Sequence, residues 1–275
     1  MTHRILDPHP DLRPFVKCYW TLEIPSSKAP ARNTIVPDGC IKLIFHHADP
    51  YRHLPTDGPP IQLPSCFVVG QLTQPYAVEP MGKTATFFVC FHPNGFLPFT
   101  SLPIREMENK AIPLSTVFGP AGNQLGQDIL NAASTENRIA KAEAFLFARL
   151  SEKKTIDRIV DSTVASILTA NGKQSVSELS NHHAVSRRQL ARKFSTTIGL
   201  SPKQLSKTIR LQAALKLLLA KDHNKLTELA YQNEYYDQAH FIREFKEFTG
   251  LTPKEFYGNE LKMSLIFDGA DFPQQ

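Results

Sequence analysis

Two nearly identical stretches most constrain the fold of this 275-residue chain: GLSPKQL at 199–205 and GLTPKEF at 250–256. In each copy the glycine suits the left-handed residue that ends a helix. The Ser or Thr two positions later suits a helix N-cap, and the proline suits the first helical position. Gln204 and Glu255 then complete capping boxes. A helix–corner–helix pattern used twice predicts a supersecondary unit used twice.

The repeat extends beyond the two corners. Residues 175–205 align with residues 225–256, and each copy predicts a helix, a short turn and a second helix. This is the helix-turn-helix plan, in which the second helix enters the major groove of DNA. Ser186 is the predicted N-cap of that second helix in the first copy, and Asp237 in the second. Lys225 stands where the first copy has its leading cap, so the second copy's leading helix is expected to begin differently.

The second helix of the first copy, SRRQLARKF, carries a basic outer face. Leu190 and Phe194 are four residues apart and are expected to face inward. Residues 173–216 contain nine Lys or Arg and one acid, so the region is strongly basic. An arginine cluster on a helix is more often a solvated surface, but here it occupies the reading position of a helix-turn-helix, and arginine can bind guanine through two hydrogen bonds.

The second copy is predicted to bury Phe241, Phe245 and Phe248 along one helix face. Nearby acids, including Glu244 and Glu247, weaken its positive field. We therefore expect the first copy to contribute more affinity and the second copy more positioning. Between the copies, about 18 residues of an apolar-rich helix span roughly 27 Å. That spacer can set two reading helices about one duplex turn, near 34 Å, apart.

Residues 160–257 resemble the DNA-binding domain of AraC-type transcription regulators, through LARKF…GLSP at 190–202, RLQAALKLL at 210–218 and EYYDQAHFIREFK…TGLTP at 234–253. The resemblance implies an all-α domain with two helix-turn-helix units joined by a central helix. Glu234-Tyr235 stands where the family commonly has a glycine turn. Carried over by position, the resemblance implies base reading by Arg188, Ala191, Arg192, Gln238, Ala239 and Arg243. The residues expected at phosphates are Ser186, Arg187, Lys193, Lys203, Lys207 and Lys246.

The first half of the chain predicts a different architecture. It holds 18 of the 21 prolines, which break helices, and its apolar runs are short and rich in Val, Phe and Thr. Regularly spaced short strands predict an antiparallel barrel or sandwich. PFVKCYW at 14–20 and VPDGCIKLIF at 36–45 resemble the β-rich, cupin-like sensor half of some such regulators, which implies effector binding or dimer contacts. The aromatic residues that could line a pocket, or equally fill the barrel, are Tyr19, Trp20, Phe45, Phe67, Phe88 and Phe91.

The expected fold class is α+β multidomain. Residues 1–150 form the β-rich domain, with helices at about 120–150, and residues 151–257 form the double helix-turn-helix domain. Residues 258–275 form a tail to which the sequence assigns no role. No apolar run approaches about 18 residues, and the N-terminus lacks a signal-type apolar core, so the expected location is the cytoplasm with four reduced cysteines.

Three other functions are weighed against a regulator. A metal-dependent cupin-type enzyme would use His46, His47, His53 or His92, but a strand points adjacent histidines to opposite faces. A cysteine-based DNA-repair protein needs closely spaced cysteines, which the chain lacks. A DNA-binding architectural protein without an effector remains the main alternative.

The sequence therefore predicts a non-enzymatic, sequence-specific transcription regulator that needs no cofactor or metal. Its expected partners are double-stranded promoter DNA and a small-molecule effector. RNA polymerase and a second copy of the chain are further candidates. Neither the effector nor the operator can be named from the sequence.

Overall fold

The computed structural model describes residues 2–24, 32–150, 157–220 and 238–258. The N-terminal part is built from ten strands, with 3₁₀ turns at Pro10–Leu12, Leu97–Phe99 and Ile104–Met107. The strands are β1 (Thr2–Leu6), β2 (Val16–Ile24), β3 (Asn33–Ile35), β4 (Lys42–His46), β5 (Tyr51–His53), β6 (Ile61–Gln62), β7 (Cys66–Val69), β8 (Tyr76–Pro80), β9 (Thr84–Phe91) and β10 (Ala111–Pro113).

These strands form two antiparallel sheets. The larger sheet has the order β1-β2-β9-β4-β7-β10, and the smaller has the order β3-β8-β5-β6. Every strand pairing is antiparallel. The predicted antiparallel β-rich domain is thus confirmed, in the form of two separately hydrogen-bonded sheets and not one closed barrel.

Alternation along the strands of the larger sheet builds two hydrophobic cores. Tyr19, Phe45 and Phe87 point to one face, where they pack with residues of the neighbouring helices. Trp20 and Phe88 point to the other face, where they pack against residues of the smaller sheet. Because successive strand residues face opposite sides, a central strand buried on both faces is apolar throughout. The larger sheet is therefore the middle layer between helices and the smaller sheet.

Nine helices are present among the described residues. Ala142 and Leu146 are buried in one helix, and Val160 and Val164 in the next. The helices are α1 (Leu114–Phe118), α2 (Pro120–Leu130), α3 (Thr135–Leu150), α4 (Arg158–Thr169), α5 (Val176–His182), α6 (Arg187–Thr197), α7 (Pro202–Ala220), α8 (Gln238–Thr249) and α9 (Pro253–Gly258).

The helices divide between the two halves of the chain. Helices α1–α3 cover the outer face of the larger sheet, and their buried residues join its core. Helices α4–α7 form a separate core around Val164, Leu190, Phe194 and Leu205. The predicted helical C-terminal domain is confirmed. None of the helices in the described ranges has the length and apolar character needed to cross a membrane.

The two halves touch along α4, α6 and α7. Asn94 Nδ2 donates to Asp161 Oδ1 at 2.8 Å, and Gln212 Nε2 donates to the Pro37 carbonyl at 2.6 Å. A Cβ on Gly199, at the first repeated corner, would lie only 3.0 Å from an Ile104 methyl group. The first helix-turn-helix unit and the spacer helix are therefore both packed on the β-rich half.

Candidate DNA-binding surface

The first helix-turn-helix unit consists of α5, a four-residue turn and α6. Ser175 and Glu178 make both bonds of a capping box at the start of α5, with the Ser175 N–H donating to Glu178 Oε2 at 2.7 Å. Ser186 and Gln189 do the same for α6: the Gln189 N–H donates to Ser186 Oγ at 3.2 Å. The predicted N-cap at Ser186 is confirmed. The caps fix where α6 begins, and hence which of its residues face outward.

Helix α6 separates an apolar face from a basic one. Leu190 and Phe194 are fully buried in the domain core. Arg187, Arg188 and Arg192 are exposed, and Arg188 and Arg192 share a face because they are four residues apart. Three guanidinium groups in the first two turns of an exposed helix make a surface suited to DNA.

Two other predicted residues of α6 are less open. Ala191, predicted to contact a base, is partly buried. Lys193, predicted at a phosphate, is ion-paired with Asp157, the N-cap of α4. Lys193 donates a hydrogen bond to that carboxylate and lowers the pKa of Asp157 below its usual value. Lys193 thus ties α6 to α4.

The second reading helix, α8, repeats this division. Phe241, Phe245 and Phe248 are buried as predicted. The proposed contact residues on the opposite side are exposed. Four residues N-terminal to α8 that the sequence singled out lie outside the described part of the chain: Lys225, Glu234, Tyr235 and Asp237. The exposed contact residues are Gln238, Ala239, Arg243 and Lys246.

Glu244 is a residue whose role the sequence analysis missed. It is 2% exposed, and Arg210 of α7 donates two hydrogen bonds to its carboxylate from Nη2, at 2.8 and 3.0 Å. Glu244 therefore connects α8 to the spacer helix α7. Because Arg210 neutralises its charge, Glu244 does not weaken the positive electrostatic field of the exposed face of α8. Its spacing gave the signal, since it lies three residues after Phe241 and four before Phe248, on the buried face.

Lys207 also belongs to this network. Its ammonium lies 3.6 Å from Glu244 Oε2 and 3.3 Å from Glu247 Oε2. Lys203, by contrast, is exposed one turn earlier on α7. Of these two lysines predicted at phosphates, Lys203 is the one open to solvent and Lys207 is held by carboxylates.

The two repeated corners have the predicted construction. Gly199 and Gly250 take φ values of 84° and 76°, the left-handed region that favours glycine. The Ser201 N–H donates to Gln204 Oε1 at 2.9 Å, and the Thr252 N–H donates to Glu255 Oε2 at 2.7 Å. Both capping boxes are therefore present, one before the spacer helix α7 and one before α9.

The aromatic residues proposed for an effector pocket occupy the two cores. Trp20 and Phe88 stack at 4.2 Å between the sheets, and Tyr19 stacks on Phe87 at 6.0 Å on the helix side. Tyr19, Trp20, Phe45, Phe67, Phe88 and Phe91 are each at most 3% exposed. Their packing supports the alternative in which they fill the domain.

A cleft of about 670 Å³ lies instead at the edge of the smaller sheet. His53 and Tyr76 stack at 3.9 Å in its wall, and the corner at Gly250 closes one side. None of the six proposed aromatic residues lines this cleft. The sequence could not reveal it, because its walls come from strands and a helix corner far apart in the chain.

The four histidines considered for metal binding do not form one group: His47 directly follows His46 at the end of β4, whereas His53 and His92 lie in other parts of the fold. His46 is buried, its Nδ1 lies 2.9 Å from Thr86 Oγ1, and burial lowers its pKa to about 4. His53 lines the large cleft, and His92 lies beside α7. Within the described ranges, no three His, Cys, Asp or Glu side chains are grouped as a metal site requires.

Comparisons with known proteins match the two halves separately. Residues 4–113 match a family model described as a domain of unknown function (DUF6597). Residues 179–259 match a family model described as a helix-turn-helix domain. The second match covers both corners, the end of α5, the whole of α6–α9 and all the proposed base-reading residues.

Similar curated proteins carry names of the same kind. An uncharacterized HTH-type transcriptional regulator of Staphylococcus aureus (strain MSSA476) is 36% identical over 85 residues, 31% of this chain and 11% of that protein. An uncharacterized HTH-type transcriptional regulator of Haemophilus influenzae is 26% identical over 159 residues, 58% of this chain and 51% of that protein. The chain thus spans about a tenth of the first relative and about half of the second.

Among solved structures, ToxT from Vibrio cholerae aligns with 86% of this chain and 97% of its own. The TM-score is 0.47 and the sequence identity is 12%.

Proposed function

We propose that the chain is a sequence-specific, DNA-binding transcription regulator of the AraC type, a proposal supported by the match of residues 179–259 to a helix-turn-helix family model. The observation that carries the proposal is the exposed arginine cluster of α6. Arg187, Arg188 and Arg192 occupy the reading helix of a correctly capped unit whose opposite face is buried. Arginine on such a helix can bind guanine edges in the major groove.

We assign base reading to Arg188, Ala191 and Arg192 in the first unit. In the second unit we assign it to Gln238, Ala239 and Arg243. Ser186, Arg187, Lys203 and Lys246 are the proposed phosphate contacts with exposed side chains. Lys193 and Lys207 can join them only by leaving the carboxylates that hold them.

The β-rich half is the proposed sensor of a small-molecule effector. The cleft of about 670 Å³ supports this role, because its volume falls within the usual range of ligand pockets. It also supports control of DNA binding, since its wall includes the corner at Gly250 that follows α8. The proposed location is the cytoplasm, where promoter DNA and RNA polymerase are found, and no enzymatic activity is proposed.

One experiment tests both the sequence-specific DNA binding and its control by an effector. The full chain is incubated with fragmented genomic DNA or a random duplex library, bound DNA is sequenced, and selection is repeated with a cell metabolite extract. We expect a defined motif with two parts about one duplex turn apart, and a change in its enrichment with the extract. Enrichment without sequence preference would contradict a regulator. A motif that never responds to metabolites would favour the architectural protein.

A further inference from the structure

A pair of thiols lies in the middle layer of the β-rich half, away from the DNA-binding surface. The register of β2, β9 and β4 places Cys18 opposite Cys90, and Cys90 opposite Lys42. Opposite residues on neighbouring antiparallel strands have Cα atoms about 4.5–5.5 Å apart. A disulfide requires about 4.4–6.8 Å. The strand pairing therefore already holds the two cysteines at bridging distance.

The side chains also meet. Cys18 and Cys90 both point to the face between the sheets, together with Trp20 and Phe88, the next residues on that face of their strands. The largest influence on the pKa of each thiol is the other thiol, as expected for two side chains in contact. This contact distinguishes the pair from two cysteines that merely fill separate places in a core.

The surroundings of the pair shift the pKa values of its two thiols in opposite directions. The hydrogen bond from Cys90 lowers the pKa of Cys18, and the neighbouring Lys17 and Lys42 ammonium groups act in the same direction against burial. The pKa of Cys90 is raised well above its usual value, because Cys90 keeps the shared proton and is buried. Lys42 is itself buried and ion-paired with Asp38, so its positive charge is fixed beside the thiols.

We propose that Cys18 and Cys90 are an oxidisable dithiol site. When hydroperoxides oxidise it, the two cysteines form a reversible intramolecular disulfide. The Cys18 thiolate attacks a peroxide oxygen, the O–O bond breaks, and hydroxide leaves while Cys18 becomes a sulfenic acid. The Cys90 sulfur then attacks the Cys18 sulfur and loses its proton, the S–O bond breaks, and water leaves. Two thiols thus lose two electrons and two protons, and one hydrogen peroxide becomes two waters.

A cleft is lined by residues close in sequence to the pair, although neither Cys18 nor Cys90 lines it. This cleft of about 270 Å³ between the β-rich half and α7 is lined by Lys17 and His92, which lie next to Cys18 and two residues beyond Cys90. Cys40 lines the same cleft and is the competing partner to be tested. Cys66 is the matched control, since it lies on β7 against Gly126 and burial raises its pKa to about 11.

The test treats the reduced full chain with stoichiometric hydrogen peroxide, blocks the remaining thiols, and maps disulfides by non-reducing peptide mass spectrometry. We expect a Cys18–Cys90 linkage and, before blocking, an intact mass about 2 Da lower. Two fewer thiols should react with the blocking reagent, and dithiothreitol should fully reverse the change. Cys18→Ser and Cys90→Ser should abolish the product. Cys66→Ser and Cys40→Ser should form it to within about twofold of the parent.

Near-ultraviolet circular dichroism keeps the test specific to the folded chain. The aromatic spectrum should persist in the oxidised protein, because the strands already hold the bridging geometry. The proposal is overturned if both cysteines stay alkylatable, if Cys40 replaces either partner in the parent, or if the bridge forms only as the spectrum is lost. Should a serine variant not fold, the linkage mapped in the parent decides the question alone.

Discussion

Arg188 and Arg192 are the residues on which base recognition in the first unit is proposed to rest. Their exposure follows from the burial of Leu190 and Phe194, because a helix with one face fixed in a core has little freedom to rotate. The sequence was sufficient to predict this, since the spacing of two apolar residues and one cap determines the outward face.

Replacing Arg188 with Ala tests that assignment. A guanidinium group that pairs with a guanine contributes about 1–3 kcal/mol of discrimination, so we expect roughly 5- to 150-fold weaker binding to the selected duplex. The preference at one base pair should relax. Fluorescence anisotropy on duplexes carrying single base-pair changes measures both effects. Arg13→Ala, an exposed arginine of the β-rich half, is the control. Unchanged affinity and unchanged preference would remove Arg188 from the reading set.

Lys203 and Lys207 offer a contrast between an open lysine and a paired one. Each phosphate contact adds about one to the slope of log affinity against log salt. Lys203→Ala should therefore reduce the slope by about one, with base preference intact. Lys207→Ala should change it less, because Glu244 and Glu247 already hold its ammonium. Equal slopes for the two variants would show that Lys207 leaves its carboxylates when DNA binds.

At the scale of helices, the four capping boxes and two glycine corners were predictable because their bonds join residues three apart. The pairing of Glu244 with Arg210 was not, since it joins residues 34 apart on different helices. For the same reason the arrangement of strands into two sheets could not be read from their short apolar runs. Local chemistry fixes where elements begin and end, whereas long-range pairing fixes how they meet.

The cap of α6 supports the reading helix as an element. Ser186→Ala removes the side-chain acceptor for the Gln189 N–H and should cost about 1 kcal/mol of unfolding free energy. Ser186→Asp keeps an acceptor at the helix start and should recover most of that loss. Urea denaturation followed by circular dichroism measures the differences. If the alanine variant is as stable as the parent, the cap does not stabilise α6.

The Arg210–Glu244 pair joins the spacer helix to the second reading helix. Arg210→Met removes the guanidinium group that donates hydrogen bonds to the buried Glu244 carboxylate. We expect a loss of about 3 kcal/mol in unfolding free energy. Adding Glu244→Gln removes the buried charge and should restore part of the loss. The double-mutant cycle in urea gives the coupling energy directly. Additive effects of the two changes would show that the pair does not connect α7 and α8 energetically.

At the scale of the molecule, the contact between the halves gives the proposed sensor a physical route to the proposed DNA-binding helices. Gln212 of the spacer helix donates to the Pro37 carbonyl, and the next residues of that loop, Asp38 and Gly39, lie beneath α7. Gly39 has φ of 76°, and a Cβ there would lie 3.0 Å from a Leu205 methyl group. The tight fit makes the loop sensitive to any change in the position of α7.

Weakening this contact should uncouple the halves without unfolding either one. The double variant Asn94→Ala, Gln212→Ala removes one hydrogen bond from α4 and one from α7, while each half keeps its own core. Calorimetry of the parent should show one cooperative transition, and the variant should show two, with a shift of a few degrees in the less stable half. Gln124→Ala, which removes an exposed bond within α2, is the matched control.

The same variant separates a mechanical role of the contact from a merely structural one. If the sensor acts through this surface, the variant should bind the selected DNA but lose any change in affinity caused by metabolites. A ligand shifts a conformational equilibrium only when it binds one state more tightly than the other. A variant that still unfolds in one step, and still responds to the effector as the parent does, would show that the halves communicate by another path.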